Sequence, residues 1–183
     1  MSSWYGETRQ EAVKHDAIMS NPLVLIHGYS DSSDGFRHWQ KLLIHKRGLA
    51  PRDVHVLNYV SLANEVTIRD IAEGFNIELE SVLGPEAKFD AIVHSTGMLV
   101  IRAWLTRFSS MNRPSRLGHL VALAPATNGS PVAHKGRSWL GALVKGKKDW
   151  DGPDFLEAGN EVLRALELAS KYTWDLAEND MFG

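Results

Sequence analysis

The sequence predicts an α/β protein, in which a parallel sheet of about four strands has helices on its faces and is followed by a helical cap. Short apolar runs alternate with helix-like segments three times and end on a fourth apolar run, which is the order that builds a parallel sheet. The 183 residues, 44% of them hydrophobic, are enough for one domain with a substantial core.

The predicted strands are short unbroken apolar runs, which are typical of strands buried on both faces of a sheet. They cover residues 22–26, 53–59, 89–94 and 119–124. In a parallel sheet ligands bind at the carboxyl ends of the strands. Residues 27–29, Ser95 and residues 126–128 follow three of these strands, so we expect them to share one site.

The helices between the strands are predicted from the spacing of their apolar residues. Residues 36–47 carry apolar side chains at helical spacing, and Gly48 ends this helix. Residues 67–83 repeat apolar side chains in the pattern of one helix face, up to the Gly84-Pro85 terminator. Residues 98–105 are apolar almost all round, which indicates a buried helix.

The chain changes character beyond residue 127. Residues 127–148 carry five Lys or Arg and no acid, whereas residues 149–183 carry nine acids and two Lys or Arg. We interpret the basic run as a solvated face that pairs with the acidic segment, in preference to a contact with anionic lipid. Residues 9–19 are predicted to be a short surface helix or an arm. Beyond the sheet region, helical pieces are predicted over residues 139–144, 161–168 and 173–177. The chain therefore divides into a core of residues 1–131 and a helical cap or lid of residues 132–183.

Ser95 lies where a predicted strand turns sharply into a helix. A serine at such a junction is displaced out of the backbone into the mouth of the sheet. Its hydroxyl then lies beside the free N–H groups of the helix start, where developing negative charge is stabilised. Ser95 is therefore the candidate nucleophile, and the alternative is an ordinary serine at a strand end.

Residues 93–97 read Val-His-Ser-Thr-Gly, and residues 25–29 read Leu-Ile-His-Gly-Tyr. Over residues 22–131 the chain resembles α/β-hydrolases of the lipase and esterase type, whose nucleophile lies in a G-x-S-x-G turn. Val93 stands where that motif has its first glycine, and residues 123–131 resemble the loop that leads into the lid of such enzymes.

The resemblance implies roles for four residues around Ser95. The backbone amides of Tyr29 and Thr96 would bind the oxyanion, and His27 and Gly28 would belong to the loop that meets the substrate. Water would release the acyl group from a Ser95 acyl-enzyme. The resemblance thus implies hydrolysis of a carboxylic ester, with a hydrophobic acyl group favoured by the apolar cap.

The triad's base and acid are not evident in the sequence. The family's chain order is Ser, then Asp or Glu, then His, and only His119 and His134 follow Ser95. His119 opens a predicted strand and so belongs to the wrong edge of the sheet, whereas His134 follows the last strand and is the candidate base. We expect that the chain lacks the C-terminal part that carries the acid and the histidine. The alternative is a catalytically inactive interaction module on the same fold.

Composition restricts the remaining possibilities. Cysteine is absent, which excludes disulfides and thiolate catalysis and is typical of a reducing compartment, so we expect a cytoplasmic protein. The net charge of −2 does not favour nucleic-acid or anionic-membrane partners. Residues 1–7 do not resemble a signal peptide, and no apolar run approaches the ~20 residues that span a bilayer.

The sequence predicts no metal and no cofactor. Two partners are predicted, a small acyl ester and a second copy of the chain. His38 and His45 lie on one helix without a third ligand, and the glycines and lysines of residues 141–148 do not fit a phosphate-binding loop. The lipid-like ester is the expected ligand. An apolar sheet edge left open in this chain would favour pairing with a second copy.

Overall fold

Four strands and six helices form the part of the chain that the structure describes. The computed structural model describes residues 21–28, 33–57, 65–108, 116–134 and 160–179. The strands are β1 (Leu23–Ile26), β2 (Val54–Leu57), β3 (Phe89–His94) and β4 (Leu117–Leu123). The helices are α1 (Ser33–Arg47), α2 (Ile68–Leu83), α3 (Gly97–Phe108), α4 (Pro131–His134), α5 (Asn160–Ala165) and α6 (Lys171–Asn179). The predicted helices over residues 9–19 and 139–144 lie outside the described residues.

The strands form one parallel sheet in the order β2-β1-β3-β4. Leu23 of β1 is in register with Val54 on one side and with Asp90 on the other, and Ala91 of β3 faces Leu120 of β4. Strand and helix alternate through the sheet, so the predicted parallel α/β architecture is confirmed.

The strands of the sheet separate two hydrophobic clusters. Leu23 and Leu25 point toward α1, whereas Val24 and Ile26 join the larger core on the other face, because successive side chains of a strand alternate. The larger core lies under α2 and α3. At its centre Phe75, Phe89 and Trp104 meet edge to face, with ring centroids 5.5–6.4 Å apart.

α2 begins at a capping box and packs beside α3. The hydroxyl of Thr67 accepts the amide of Asp70 at 3.2 Å, and the Thr67 amide donates to the Asp70 carboxylate at 2.8 Å. Inside the helix layer the indole of Trp104 donates to Asn76 at 2.9 Å, so that this buried amide is satisfied.

Several elements begin or end away from the predicted positions, and for two of them the structure shows the cause. β4 starts at Leu117, two residues before the prediction, because Leu117 pairs with Phe89 of β3. α5 ends at Ala165, short of the predicted residue 168, because the Leu166 carbonyl accepts the Ser130 amide at 2.7 Å and Ala169 adopts a φ of 55°. α5 and α6 pack against α2 and α3 and contribute Val162 and Leu176 to the larger core.

Candidate active site

Ser95 occupies a strained turn between β3 and α3. Its φ is 52°, in the left-handed region that side chains other than glycine rarely adopt. Such a conformation costs on the order of 1–3 kcal/mol and persists only where the surroundings enforce it. The turn directs a partly exposed serine away from the strand at the carboxyl edge of the sheet, as the sequence predicts for a nucleophile.

Backbone hydrogen bonds hold this turn from both sides. The Ser95 amide donates to the Leu123 carbonyl at 3.1 Å, at the end of β4. The Ser95 carbonyl accepts the amide of Ala126 and the amide of Met98, each at 3.1 Å. The turn is therefore tied to the loop after β4 and to the first turn of α3.

Two glycines allow the end of β1 to approach the turn closely. A Cβ atom on Gly97 would lie 2.8 Å from the Ile26 carbonyl oxygen and 2.9 Å from that of His27. A Cβ atom on Gly28 would lie 3.0 Å from Cβ of Ser95 and 3.1 Å from Nδ1 of His94. The ends of β1 and β3 thus meet at distances that no larger residue permits at Gly97.

His27 is buried directly beneath this edge of the sheet. Its side chain is 1% exposed, and its Nδ1–H donates to the Gly28 carbonyl at 2.9 Å. The bond fixes the orientation of the Gly28 carbonyl. Tyr29, the predicted oxyanion donor that follows, lies outside the described residues.

Thr96, the second predicted oxyanion donor, follows Ser95 in the turn. Its side chain is fully buried, and its carbonyl accepts the amides of Leu99 and Val100. Within the described residues its own amide donates to no backbone carbonyl, and its hydroxyl has no hydrogen-bond partner. A backbone amide without such a partner at the start of a helix is suited to an anion.

The loop after β4 meets the Ser95 turn at the same edge, and two features of this loop were not predicted from the sequence. Ala124 has a φ of 44°, a left-handed conformation that an alanine in the sequence does not indicate. Arg102 of α3 is 2% exposed and donates through Nη1 to the Thr127 carbonyl. A single arginine in the apolar run of residues 98–105 was the available signal for this contact.

His134, the predicted base, and His119, which the sequence placed at the wrong edge of the sheet, lie in different places. His134 is the last residue of α4, five residues beyond the chain turn at Gly129, and its side chain is not among those described. His119 lies at the opposite edge of the sheet, as predicted, where its amide and ring donate to the Asp90 carboxylate at 2.9 and 3.1 Å. The described residues provide no hydrogen-bond partner for the Ser95 hydroxyl.

Two adjoining cavities lie away from Ser95, among α2, α3, α5 and α6. Their volumes are about 470 and 590 Å³, and Arg69 and Tyr172 line both. Burial raises the pKa of Tyr172 to about 12, although the nearby charges of Arg69 and Arg102 oppose this shift. Both acidic and basic side chains line these cavities, so the cavities do not indicate one class of ligand.

The described part of the chain shows neither a metal-binding cluster nor a membrane-spanning helix. It contains no group of three or more His, Asp or Glu that is arranged to hold a metal ion, and His38 and His45 are exposed on α1. Among the same residues no helix is long and apolar enough to cross a bilayer.

Solved structures with the same fold are hydrolases. The phospholipase PlaB from Legionella pneumophila is 29% identical, with a TM-score of 0.69 over 87% of this chain and 35% of that chain. The lipase BlEst2 from Bacillus licheniformis, in its mature form, is 16% identical with a TM-score of 0.60 over 87% of this chain and 59% of that chain. Lipase B from Aspergillus fumigatus is 15% identical with a TM-score of 0.56 over 85% of this chain and 33% of that chain.

These similarities identify the fold as that of the α/β-hydrolases, as the resemblance in the sequence implied. The chain spans 35% of the PlaB phospholipase and 59% of the mature BlEst2 lipase. No family model matches the chain, and no curated protein does.

Proposed function

We propose that this chain carries the nucleophile half of a serine hydrolase that cleaves carboxylic esters, with Ser95 as the nucleophile. The observation that carries the proposal is the left-handed conformation of Ser95 at the carboxyl edge of the sheet. Strain of this kind at a partly exposed nucleophile is typical of a site at which geometry serves a reaction. The lipases and the phospholipase among the structural relatives support hydrolysis as the reaction class.

In the proposed reaction the Ser95 oxygen attacks the ester carbonyl while its proton passes to a base. The tetrahedral intermediate collapses when the carbon–oxygen bond to the alcohol breaks, and the base returns the proton to the departing alkoxide. Water then attacks the acyl-enzyme with the same base, which releases the carboxylic acid and regenerates the Ser95 hydroxyl.

The oxyanion of this intermediate would be bound by backbone amides. The Thr96 amide is one proposed donor, and the amide of Tyr29 is the other. The His27 ring holds the Gly28 carbonyl, the last one described before Tyr29. His27 and Gly28 therefore serve to orient the substrate loop. Loss of one such donor costs about 2.7–4 kcal/mol of transition-state stabilisation.

We propose His134 as the base and residues 132–183 as the helical cap segment, of which α5 and α6 pack on α2 and α3. The loop that leads to α4 is bonded to the Ser95 backbone through Ala126, which brings this segment to the correct edge of the sheet. A lipid-like ester is the proposed substrate, because the structural relatives are lipases and a phospholipase. Replacement of His134 by Ala should abolish turnover of p-nitrophenyl esters, and unchanged turnover would exclude His134.

A tagged fluorophosphonate probe tests the nucleophile directly. We expect covalent labelling of Ser95 in this chain or in a longer natural form that contains it, located by mass spectrometry of the labelled peptide. The variant Ser95→Ala should remove the label, whereas Ser81→Ala, at an exposed position on α2, should retain it. Absence of labelling in both forms would exclude the serine hydrolase.

The second candidate function is an inactive interaction module on the same fold. It is favoured by the lack of a hydrogen-bond partner for the Ser95 hydroxyl among the described residues, since an unactivated serine is a poor nucleophile. Absence of labelling with retained folding supports this second function. Labelling only in a longer form supports a hydrolase whose base lies outside these residues.

A further inference from the structure

α1 presents a solvent-exposed face that combines apolar and basic side chains. Its opposite side packs on β1 and β2 through Phe36, which is 4% exposed. On the outer side Trp39 is 46% exposed and Leu42 is 39% exposed. Lys41 and Lys46 are exposed on the same helix.

Helical spacing places the exposed apolar residues together, with cations on both sides. Trp39 and Leu42 are three residues apart and therefore neighbours on the helix surface. Lys46 follows Leu42 by four residues and continues the same stripe. Lys41 and His45, also four apart, form the adjoining stripe. The outer face of α1 is thus an apolar centre bordered by basic side chains.

The positive charge of α1 is a local concentration in a slightly acidic chain. The helix contains four Lys or Arg and a single Asp, whereas the whole chain has a net charge of −2. Interaction with the helix dipole explains Lys46 and Arg47, which lie in the last turn, but it does not explain Lys41. Within the described residues Lys41, Lys46 and Arg47 form no ion pair. An anionic partner of the outer face accounts for Lys41 and Lys46 together.

We infer that the outer face of α1 binds the surface of a bilayer that contains anionic lipids. Lysines attract the anionic headgroups, and an indole beside a leucine is suited to the headgroup boundary, where one side of the helix is wet and the other apolar. A nucleic acid would use the cations, but it gives no role to the leucine between them. This surface association goes beyond the proposed ester hydrolysis and does not require Ser95.

The first turns of α1 lie near the candidate site. Phe36, on the inner side of the helix, lies beside His94 at the end of β3, with ring centroids 6.5 Å apart. His94 precedes Ser95, so docking through α1 would hold the chain at the lipid surface by a helix whose start adjoins the serine turn.

Sedimentation with vesicles tests the inference on the full chain. We expect the chain to bind vesicles that mix phosphatidylcholine with phosphatidylglycerol, and to bind pure phosphatidylcholine vesicles much more weakly. The double variant Lys41→Gln/Lys46→Gln should lower the partition onto the mixed vesicles roughly 10- to 30-fold, since each basic residue near an anionic surface contributes about fivefold. Trp39→Ala/Leu42→Ala, which keeps every charge, should also weaken binding.

The matched control is Lys88→Gln/Lys171→Gln, which removes two exposed lysines outside α1. Unchanged vesicle binding by this control supports the α1 surface, and an equal loss would overturn it, because the effect would then follow net charge alone. The inference would also be overturned if Trp39→Ala/Leu42→Ala bound both mixed vesicles and heparin as well as the parent chain does. The α1 surface would then be a general site for polyanions. Circular dichroism melting of each variant verifies that the chain remains folded, and a lack of preference for phosphatidylglycerol refutes the inference.

Discussion

Replacement of Gly97 by Ala should destabilise the protein, because the turn at Ser95 has no room for a side chain beside β1. The added Cβ atom would lie 2.8 and 2.9 Å from the carbonyl oxygens of Ile26 and His27. Both are backbone atoms of a central strand, so they cannot move aside as the end of a flexible side chain can. The start of α3 must move instead, at a cost of about 1–3 kcal/mol for an overpacked position.

Gly74 provides a matched control, since it is a glycine in the middle of α2 with nothing within 4 Å of its added Cβ atom. There the same replacement should stabilise the protein by about 0.5–1 kcal/mol, because alanine loses less conformational entropy in a helix. The two variants should therefore differ by about 1.5–4 kcal/mol in free energy of unfolding.

Urea denaturation followed by far-ultraviolet circular dichroism measures this difference. Gly97→Ala should unfold at a lower urea concentration than the parent chain and Gly74→Ala at a higher one. The fluorophosphonate probe should also label Ser95 more slowly in Gly97→Ala, because α3 carries the turn with it. A Gly97→Ala protein that is as stable as Gly74→Ala would refute the close packing of the turn against β1.

Two further predictions concern the helix layer. Thr67→Ala should lower the free energy of unfolding by about 0.5–2 kcal/mol through loss of the α2 capping box with Asp70, whereas Thr67→Ser should retain most of it in the same urea experiment. The pKa of Tyr172 is raised to about 12, so the folded state keeps a proton that the unfolded state loses near pH 10, and stability should fall between these values. Tyr172→Phe should remove on the order of 2 kcal/mol of this alkaline loss of stability. Thermal melts of both proteins from neutral to alkaline pH measure it, and an identical decline in melting temperature for the two proteins would show the interpretation to be wrong.

The sheet was predictable because parallel strands buried on both faces require nearly uninterrupted apolar sequence. That requirement made β1 and β3 visible as short runs, and the helical spacing of α2 did the same for its buried face. The start of β4 was not predictable in this way. Gly118 extends the strand because its missing side chain leaves room for Asp90 and Asn21, with a Cβ atom expected only 2.5 and 2.7 Å from their polar atoms.

The part of the candidate site that depends on residue type was predictable from the sequence. Ser95 and Gly97 carry a motif, and the structure adds the strained φ and the close approach that the motif implies. Ala124 carries no comparable signal, because nothing in an alanine reports that the backbone must turn left-handed. Its conformation depends on contacts between the end of β4 and the serine turn, and these exist only once the sheet has formed.

The backbone around Ser95 also determines where an activating group can come from. The strain at Ser95 persists because its amide and carbonyl are bonded to Leu123 and Ala126, at the end of the neighbouring strand β4 and in the loop after it. Arg102 then holds the same loop at Thr127 from inside the core. The chain that leaves this loop is thus anchored to the Ser95 turn on one side and to α3 on the other. A base delivered by this chain segment would be positioned by contacts that already enforce the serine turn. A change in that anchor, such as Arg102→Met, should therefore slow labelling of Ser95, because the loop after β4 would lose its hydrogen bond at Thr127.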